Sequence, residues 1–341
     1  MSKLIVIVGI TGNQGGSVAS AFLRDPSWKI RGISRDPSKA SSQSLVSQGI
    51  EIVPGDVDDI DSLKAAFKGA NIIFGNTAFS NAFAMPTDSD LEKLSPGQTL
   101  REWCYELEVQ QGKNIVDAAA SVVDTLDLFI WSTLSNASKW SRGKYTGVYH
   151  FDSKAKVVDY LHEIHPSLGE KTSLLQMGLF ITNWKWGQAA VPWEKRPDGS
   201  LLLAVPGTGD VPVPLIVPSD AGKFVKALSQ VSSGKNLLAF GDLMTWSEYV
   251  ALWSKITGLP AKFEQSTVDA LDKLAPGGYG EEIGEMYAYM QEFGYWGKDD
   301  DSVIFPKDLG VEVDATRIED YIKNEDWSEL INRPVPGSSI S

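Results

Sequence analysis

A glycine-rich turn between the first strand and the first helix constrains this chain most strongly. Residues 8–15 read Val-Gly-Ile-Thr-Gly-Asn-Gln-Gly, after an apolar run at 4–8 and before a helical stretch at 14–23. This spacing is a variant of the dinucleotide fingerprint, in which glycines permit a tight turn, phosphate approach and close helix–strand packing. Unpaired N–H groups and the dipole at the helix N-terminus bind a pyrophosphate. The alternative interpretation is an ordinary tight turn. The predicted cofactor contacts here are Gly9, Thr11, Gly12, Asn13, Gln14 and Gly15.

Short apolar runs alternate with helix-period segments through the first half of the chain. The runs lie at residues 4–8, 30–33, 50–53, 72–74, 126–131 and 173–176, and the helical segments at 14–23, 62–67, 98–122 and 151–164. Such runs between helices are typical of parallel strands that are buried on both faces. Right-handed crossovers then predict an α/β fold, a Rossmann doubly wound parallel sheet of order 3-2-1-4-5-6.

The pattern changes after about residue 178, which indicates a second, smaller unit. Prolines punctuate short strands up to residue 218, helices return at 221–228 and 246–256, and residues 259–341 read as helices joined by loops. We predict a nucleotide-binding Rossmann domain over residues 1–180, with returning segments around 211–245. Residues 181–210 and 246–341 are predicted to form a smaller α+β C-terminal domain for a ligand or a partner.

Composition argues against several classes of function. A formal charge of −13 argues against a surface that binds nucleic acid directly. One cysteine, Cys104, excludes an internal disulfide framework and favours a reducing compartment. No apolar window reaches the length of about 18 residues that a membrane span needs, and the first residues do not read as a signal peptide. We expect a soluble protein without a metal, located in the cytoplasm and also compatible with the nucleus.

Arg35, at the end of the second predicted strand, indicates which dinucleotide binds. An NAD site usually has an acidic residue there, whereas an arginine grips the 2′-phosphate of NADP in bidentate fashion. Ser34 and Lys39 add donors nearby, and Asp36 is compatible with a phosphate only if its carboxylate points away. The alternative is a solvated loop arginine. The sequence therefore predicts NADP as cofactor, with Ser34 and Arg35 among its contacts.

Two further loops complete the predicted cofactor site. Asp56 and Val57 follow the third strand, where a carboxylate and a backbone N–H can bind adenine. Asn76 and Thr77 follow the fourth strand, which the predicted order places beside the first, at the crevice where such sheets bind ligands. As an alternative, Asp56 caps the following helix.

The chain resembles the NmrA-like family of atypical short-chain dehydrogenases, which includes fungal nitrogen-metabolite regulators and the human NADPH-sensor homologue. The resemblance rests on residues 9–16, 34–37, 55–59, 131–135, 149–157, 178–184 and 210–226, and it covers residues 1 to about 260. It implies a Rossmann domain that binds NADP(H), with a smaller C-terminal domain that closes over the nicotinamide end.

The residues around Lys154 decide whether the resemblance extends to catalysis. Typical short-chain dehydrogenases use a tyrosine proton donor, a lysine four residues later on the same helical face, and a serine after the fifth strand. Ser132 and Lys154 occupy the expected places and are also predicted to contact the cofactor, but His150 stands where the tyrosine would be. Tyr149 lies about 100° round the helix. His150 can transfer protons near neutral pH, although the sequence favours a structural or ligand-binding role for it.

Two functions follow from these residues. The sequence favours an NADP(H)-responsive regulator, a redox sensor in which occupancy orders residues 81–96 and the C-terminal domain and so changes a surface that a protein partner binds. The alternative is an NADPH-dependent oxidoreductase that reduces a small aromatic or apolar carbonyl, enone or imine. Its catalytic residues would be Ser132, His150 and Lys154, and its substrate pocket would include Phe180, Asn183 and Trp184.

Overall fold

The computed structural model describes residues 2–79, 81–186 and 191–335. The strands are β1 (Lys3–Ile7), β2 (Trp28–Ser34), β3 (Glu51–Pro54), β4 (Ile72–Gly75), β5 (Leu128–Thr133), β6 (Thr172–Met177), β7 (Leu179–Phe180), β8 (Trp193–Lys195), β9 (Leu201–Pro206), β10 (Val213–Ile216), β11 (Asn236–Ala239), β12 (Asp242–Met244), β13 (Ala261–Ser266) and β14 (Val303–Ile304). The helices are α1 (Asn13–Leu23), α2 (Ala40–Val46), α3 (Ile60–Phe67), α4 (Asp88–Leu91), α5 (Leu100–Ala120), α6 (Ala137–Trp140), α7 (Tyr149–Ile164), α8 (Pro166–Gly169), α9 (Ala221–Leu228), α10 (Trp246–Thr257), α11 (Val268–Leu274), α12 (Tyr279–Phe293), α13 (Ile318–Asn324) and α14 (Ser328–Ile331).

The central sheet confirms the predicted Rossmann architecture. Among the described residues it has eight strands in the order β14-β11-β6-β5-β4-β1-β2-β3, and all neighbours run parallel. The predicted order 3-2-1-4-5-6 is contained in it, and β11 and β14 extend the sheet beyond β6. The order reverses between β1 and β4, so the carboxyl ends of these two strands flank a crevice.

Successive side chains of the buried strands point to opposite faces of the sheet, which explains why helices cover both faces. Ile5 and Ile7 of β1 face a cluster shared with α1 and α9, whereas Val6 faces a cluster shared with α3, α5 and α7. Successive side chains of a strand point to opposite faces, so a continuous apolar run is stable only with helices on both sides.

The C-terminal residues build two smaller sheets around an aromatic core. The sheets have the orders β12-β10-β7 and β13-β9-β8, and large buried side chains such as Trp193, Trp246 and Trp253 fill the space beside α10 and α12. The sequence prediction of helices and loops for residues 259–341 is wrong at β13 and β14. β13 reads Ala-Lys-Phe-Glu-Gln-Ser, which carries little apolar signal, and its pairing with β9 makes it a strand.

Within the described ranges, none of the helices combines the length and the apolar character that a membrane crossing would need. The same ranges contain no group of three or more His, Cys, Asp or Glu side chains that could hold a metal ion.

Candidate functional site

The glycine-rich turn brings backbone N–H groups to the crevice between β1 and β4. Gly9 has a φ of +65°, which favours glycine, and the Gly12 N–H donates to the Gly9 carbonyl at 2.9 Å. Gly12 is the N-cap of α1, and in the described structure no side chain caps this helix. A Cβ on Gly15 would lie 2.7 Å from Ile10 Cα, so only glycine allows α1 to pack this closely on the turn. The turn therefore presents uncapped N–H donors, as an anion site requires.

A polar groove of about 460 Å³ runs from this turn along the carboxyl ends of the first strands. Its wall contains eight of the predicted cofactor residues: Gly9, Thr11, Ser34, Arg35, Asp56, Val57, Asn76 and Thr77. Lys39 and Asp58 also line it, together with Phe79 and Gln111. The fold thus gathers residues from four separate loops at one edge of the sheet.

Arg35 and Asp36 lie side by side in this groove but differ in their bonding. Arg35 is exposed and forms no hydrogen bond or ion pair with any described residue. The Asp36 carboxylate accepts two hydrogen bonds from Ser38, from its N–H at 3.0 Å and from its hydroxyl at 2.6 Å. These bonds hold the pKa of Asp36 below its ordinary value. The carboxylate is therefore engaged in its own turn, and the Arg35 guanidinium is available to an anion.

The loops after β3 and β4 are held by hydrogen bonds across the sheet edge. Asn76 donates from Nδ2 to the Val8 carbonyl at 2.7 Å, which ties the end of β4 to the end of β1. The Val57 carbonyl accepts from Asn114 of α5 at 2.9 Å. The N-cap of α3 is Asp59, whose side chain accepts from two backbone N–H groups, so the alternative role of Asp56 as the cap does not apply.

A second cavity of about 380 Å³, here called the apolar pocket, adjoins the polar groove and shares Phe79 with it. Most of its wall is apolar or aromatic: Phe79, Phe83, Phe151, Phe180, Trp186, Tyr279, Ile283, Met286 and Tyr295. Its polar wall residues include Gln14, Ser132, His150, Lys154 and Asn183. The Ser132 hydroxyl donates to Gln14 Oε1 at 2.8 Å, which links β5 to the first turn of α1. All three predicted catalytic residues therefore line one cavity.

Trp184 is the one predicted pocket residue that the structure places elsewhere. It is buried, its ring stacks on Trp327 with centroids 4.8 Å apart, and its Nε1 donates to the Tyr321 hydroxyl at 3.0 Å. The 3₁₀ turn Ile181–Trp186 directs Trp184 into the C-terminal core, and the exposed Trp186 lines the pocket in its place.

Lys154 is paired with a carboxylate that the sequence analysis did not identify. Its Nζ donates to Glu108 of α5, and it lies 3.5 Å from both the carbonyl and the hydroxyl oxygen of Thr77. Glu108 is 1% exposed and also accepts a hydrogen bond from Ser153. The lysine therefore stands where the polar groove meets the apolar pocket, with its charge balanced by the protein.

His150 is held from the C-terminal part of the chain. Its Nδ1 lies 2.7 Å from Glu282 Oε1, and its backbone N–H donates to the same oxygen at 2.9 Å. Its Nε2 lies 3.3 Å from Met286 Sδ. Tyr149 lies outside the apolar pocket, with the Arg101 guanidinium 5.7 Å from its ring centre.

The remaining titratable groups of the pocket wall are the phenols of Tyr279 and Tyr295. Burial raises the pKa of both, so they stay neutral near physiological pH. The Tyr295 hydroxyl donates to the Met177 carbonyl at 2.7 Å. No hydrogen bond within the described part of the chain engages the Tyr279 hydroxyl.

Glu108 and Glu282 were missed because they are far from their partners in sequence. One signal was available for Glu108: it shares a helical face with Cys104, Gly112 and Ile115, which are all buried. Glu282 similarly shares a face with Met286 and Met290. A carboxylate on a buried helical face requires a partner.

Comparison with known sequences places this chain among NmrA-like proteins. The NmrA-like family matches residues 1–331. The NmrA-like family domain-containing oxidoreductase ptmS of Penicillium ochrochloron is 27% identical over 305 residues, which cover 85% of this chain and 84% of the relative. A similar oxidoreductase, FrzB of Cladobotryum sp, is 27% identical over 277 residues, covering 77% of this chain and 76% of the relative.

Among solved structures, the fold is similar to that of NmrA, a negative transcriptional regulator. Its complex with NADP has a TM-score of 0.65 at 17% identity and covers 95% of both chains, and a complex with NAD has a TM-score of 0.68. The NADPH-dependent quinone oxidoreductase QOR2 of Escherichia coli, complexed with NADPH, has a TM-score of 0.65 at 18% identity. That alignment covers 96% of this chain and 100% of the neighbour.

Proposed function

Because this chain belongs to the NmrA-like family, an NAD(P)-binding family, we propose that it is an NADPH-dependent reductase of a small aromatic or apolar carbonyl, enone or imine. The observation that carries the proposal is the apolar pocket, which adjoins the polar groove and is lined by His150, Ser132 and Lys154. A regulator needs only the groove that holds the dinucleotide, whereas a reductase also needs a cavity beside it that holds the substrate.

The polar groove fits a dinucleotide phosphate. The uncapped turn at Gly12 would hold the pyrophosphate, and Arg35 would hold a 2′-phosphate, which favours NADP(H) over NAD(H). Asp56, Val57 and Asn76 would surround the adenosine. When bound, NADPH supplies a hydride to an electrophilic carbon and leaves as NADP⁺.

The proposed roles in the apolar pocket follow from the contacts. As carbon gains the hydride, the electron pair of the double bond moves to the substrate's heteroatom, which takes one proton. His150 is proposed to deliver that proton, because its imidazole lies in the pocket wall and histidine is the commonest general acid and base in enzymes. Lys154, beside Thr77, would hold the cofactor ribose, and Ser132 would orient the substrate.

We further propose that residues 181–210 and 246–341 act as the substrate domain beside a Rossmann domain of residues 1–180 with returning segments around 211–245. Tyr279, Met286 and Tyr295 of the apolar pocket lie in the second of these segments. Phe180 and Asn183 lie where the two proposed domains join.

The test is NADPH oxidation measured with panels of quinones, ketones, enones and imines. His150→Gln is expected to lower kcat about 10²–10⁴-fold, the usual contribution of general acid catalysis, while NADPH binding persists. Tyr279→Phe is the matched control, because it removes a phenol proton from the same pocket wall and should retain most of kcat. A large loss in Tyr279→Phe with full activity in His150→Gln would contradict the role of His150.

The regulator that the sequence favours is the second candidate. Two observations support it. Glu108 balances the charge of Lys154, and a histidine occupies the position of the usual tyrosine. A redox sensor must bind NADP⁺ and NADPH with different affinities, since a ligand shifts states only through differential affinity. Calorimetric titration measures the two affinities. Different affinities for NADP⁺ and NADPH, together with no turnover on any of the substrate panels, would favour the regulator.

A further inference from the structure

The carboxylate of Glu282 reaches His150 from the C-terminal part of the chain. Glu282 lies in the first turn of α12, where the helix dipole favours a negative charge, and its side chain is 0% exposed. Its Oε1 accepts the His150 N–H at 2.9 Å and lies 2.7 Å from Nδ1. Its Oε2 is buried with no hydrogen-bond partner among the described residues. A buried carboxylate with a free oxygen is costly, so its position needs a reason.

The contact assigns different roles to the two ring nitrogens of His150. A carboxylate oxygen only accepts hydrogen bonds, so Nδ1 is the donor toward Oε1, which also accepts the backbone N–H. In a neutral imidazole the other nitrogen, Nε2, then carries the lone pair. Nε2 lies 3.3 Å from Met286 Sδ, and both residues line the apolar pocket. Glu282 engages Nδ1, so Nε2 is the ring nitrogen left to exchange a proton, and the Met286 sulfur, a weak acceptor, can receive a hydrogen bond from Nε2 when that nitrogen is protonated.

We propose that Glu282 is a positioning residue that holds His150 in the Nδ1–H tautomer, so that Nε2 exchanges the proton with the substrate. The inference rests on the proposed reductase function. In the step, a hydride from NADPH adds to the substrate carbon, which would leave NADP⁺, the electron pair of the double bond moves to the heteroatom, and the heteroatom takes the Nε2 proton of the imidazolium. His150 is then neutral, with its Nδ1–H still hydrogen-bonded to Glu282, and Nε2 takes up a new proton from the solvent.

The first test is the ¹⁵N spectrum of the histidine rings in the wild-type protein, which requires no activity. The chain has three histidines, so His150→Gln assigns the signal of His150 by its loss. His165 provides an internal reference, because its Nε2 lies 2.7 Å from Asp117 Oδ1 and should carry the proton. We expect neutral His150 to show the Nδ1–H pattern and His165 the opposite one. A wild-type His150 in the Nε2–H form would overturn the proposal.

The second test compares two carboxylates on the same helix. Glu282→Gln replaces the acceptor with an amide that can donate or accept, so the His150 tautomers should become mixed. With a substrate, kcat is expected to fall on the order of tenfold or more while the KM for NADPH stays within about twofold. The matched control is Glu285→Gln, one turn later on α12, whose carboxylate accepts from the Gly147 N–H at 2.9 Å. It should leave both the tautomer and kcat unchanged.

The outcomes separate this proposal from the proposed function. An active wild-type enzyme in which Glu282→Gln keeps full kcat and an unchanged His150 spectrum would overturn the positioning role alone. Wild-type protein that turns over no substrate, yet shows the Nδ1–H tautomer, would overturn the reductase proposal while the Glu282 contact stands. If Glu282→Gln does not fold, the wild-type spectrum still decides the tautomer.

Discussion

Lys154 donates a hydrogen bond to Glu108, so the lysine at the junction of the two cavities carries its own counter-ion. The pair joins α7 to α5, and Ser153 donates a further hydrogen bond to the same carboxylate. In a typical short-chain dehydrogenase the lysine acts on a tyrosine four residues earlier. Here that position holds His150, which is paired with a different carboxylate on α12. The lysine and the histidine are thus each bound by a different carboxylate.

The buried Lys154–Glu108 pair should contribute to the free energy of unfolding. Lys154→Met leaves Glu108, which is 1% exposed, without a counter-ion, so we expect the free energy of unfolding to fall by about 3–5 kcal/mol. The double variant Lys154→Met/Glu108→Gln should recover most of that loss. Urea unfolding followed by tryptophan fluorescence measures both values. Lys156→Met, on the exposed face of the same helix, should change stability by less than about 0.5 kcal/mol. Equal effects of the two single lysine variants would contradict the prediction.

Arg35 should decide between NADPH and NADH. It has no partner among the described residues, so Arg35→Gln should leave stability unchanged and weaken NADPH binding about 10- to 100-fold, through loss of charged hydrogen bonds worth about 1.5–3 kcal/mol. NADH binding should change little. Calorimetric titration with both dinucleotides measures the ratio. The matched control is Arg24→Gln, which removes the same charge at the C-terminal end of α1, outside the groove wall. Equal losses for NADPH and NADH would show that Arg35 does not contact a 2′-phosphate.

Acid should weaken a contact between the end of α1 and α9. Lys226 donates to Asp25 at 2.5 Å, and this bond, with two more from Ser27, lowers the pKa of Asp25 from 3.8 to about 2. A folded pKa below the unfolded value means that the contribution is present above pH 3.8 and is lost as pH falls toward 2. The difference in Tm between wild type and Asp25→Asn should therefore shrink between pH 5 and pH 2.5. In a Lys226→Met background that change should be smaller, and an equal change would refute the assignment.

The alternation of apolar runs was sufficient to predict the sheet order, because parallel strands buried on both faces leave a clear local pattern. The same reasoning predicted the wall of the polar groove, since each loop follows a recognisable strand. β13 could not be predicted in this way, because it is mostly polar and depends on its partner β9.

The apolar pocket was harder to predict because part of its wall comes from α12 and the segment after it, namely Tyr279, Ile283, Met286 and Tyr295. Tyr279 and Met286 are far in sequence from His150, and their helical pattern reads as ordinary core. Trp184 and Trp186 are both aromatic residues after β6, and only the 3₁₀ turn determines which one faces the pocket. Long-range packing, rather than local preference, decides such positions.

The two adjacent glycines of α1 should respond in opposite ways to a single methyl group. A Cβ on Gly15 would meet backbone atoms of Gly9 and Ile10, the latter Cα at 2.7 Å, so α1 must move away from the turn. Gly15→Ala should therefore cost about 1–3 kcal/mol of stability and weaken dinucleotide binding.

A Cβ on Gly16 would lie 3.5 Å from the Ile10 carbonyl oxygen, an ordinary contact. Gly16→Ala should stabilise the helix by about 0.5–1 kcal/mol and leave binding intact. Urea unfolding and NADPH titration of both variants measure this contrast, and a Gly15→Ala protein that binds NADPH as tightly as Gly16→Ala would show that the close approach of α1 to the turn is not required.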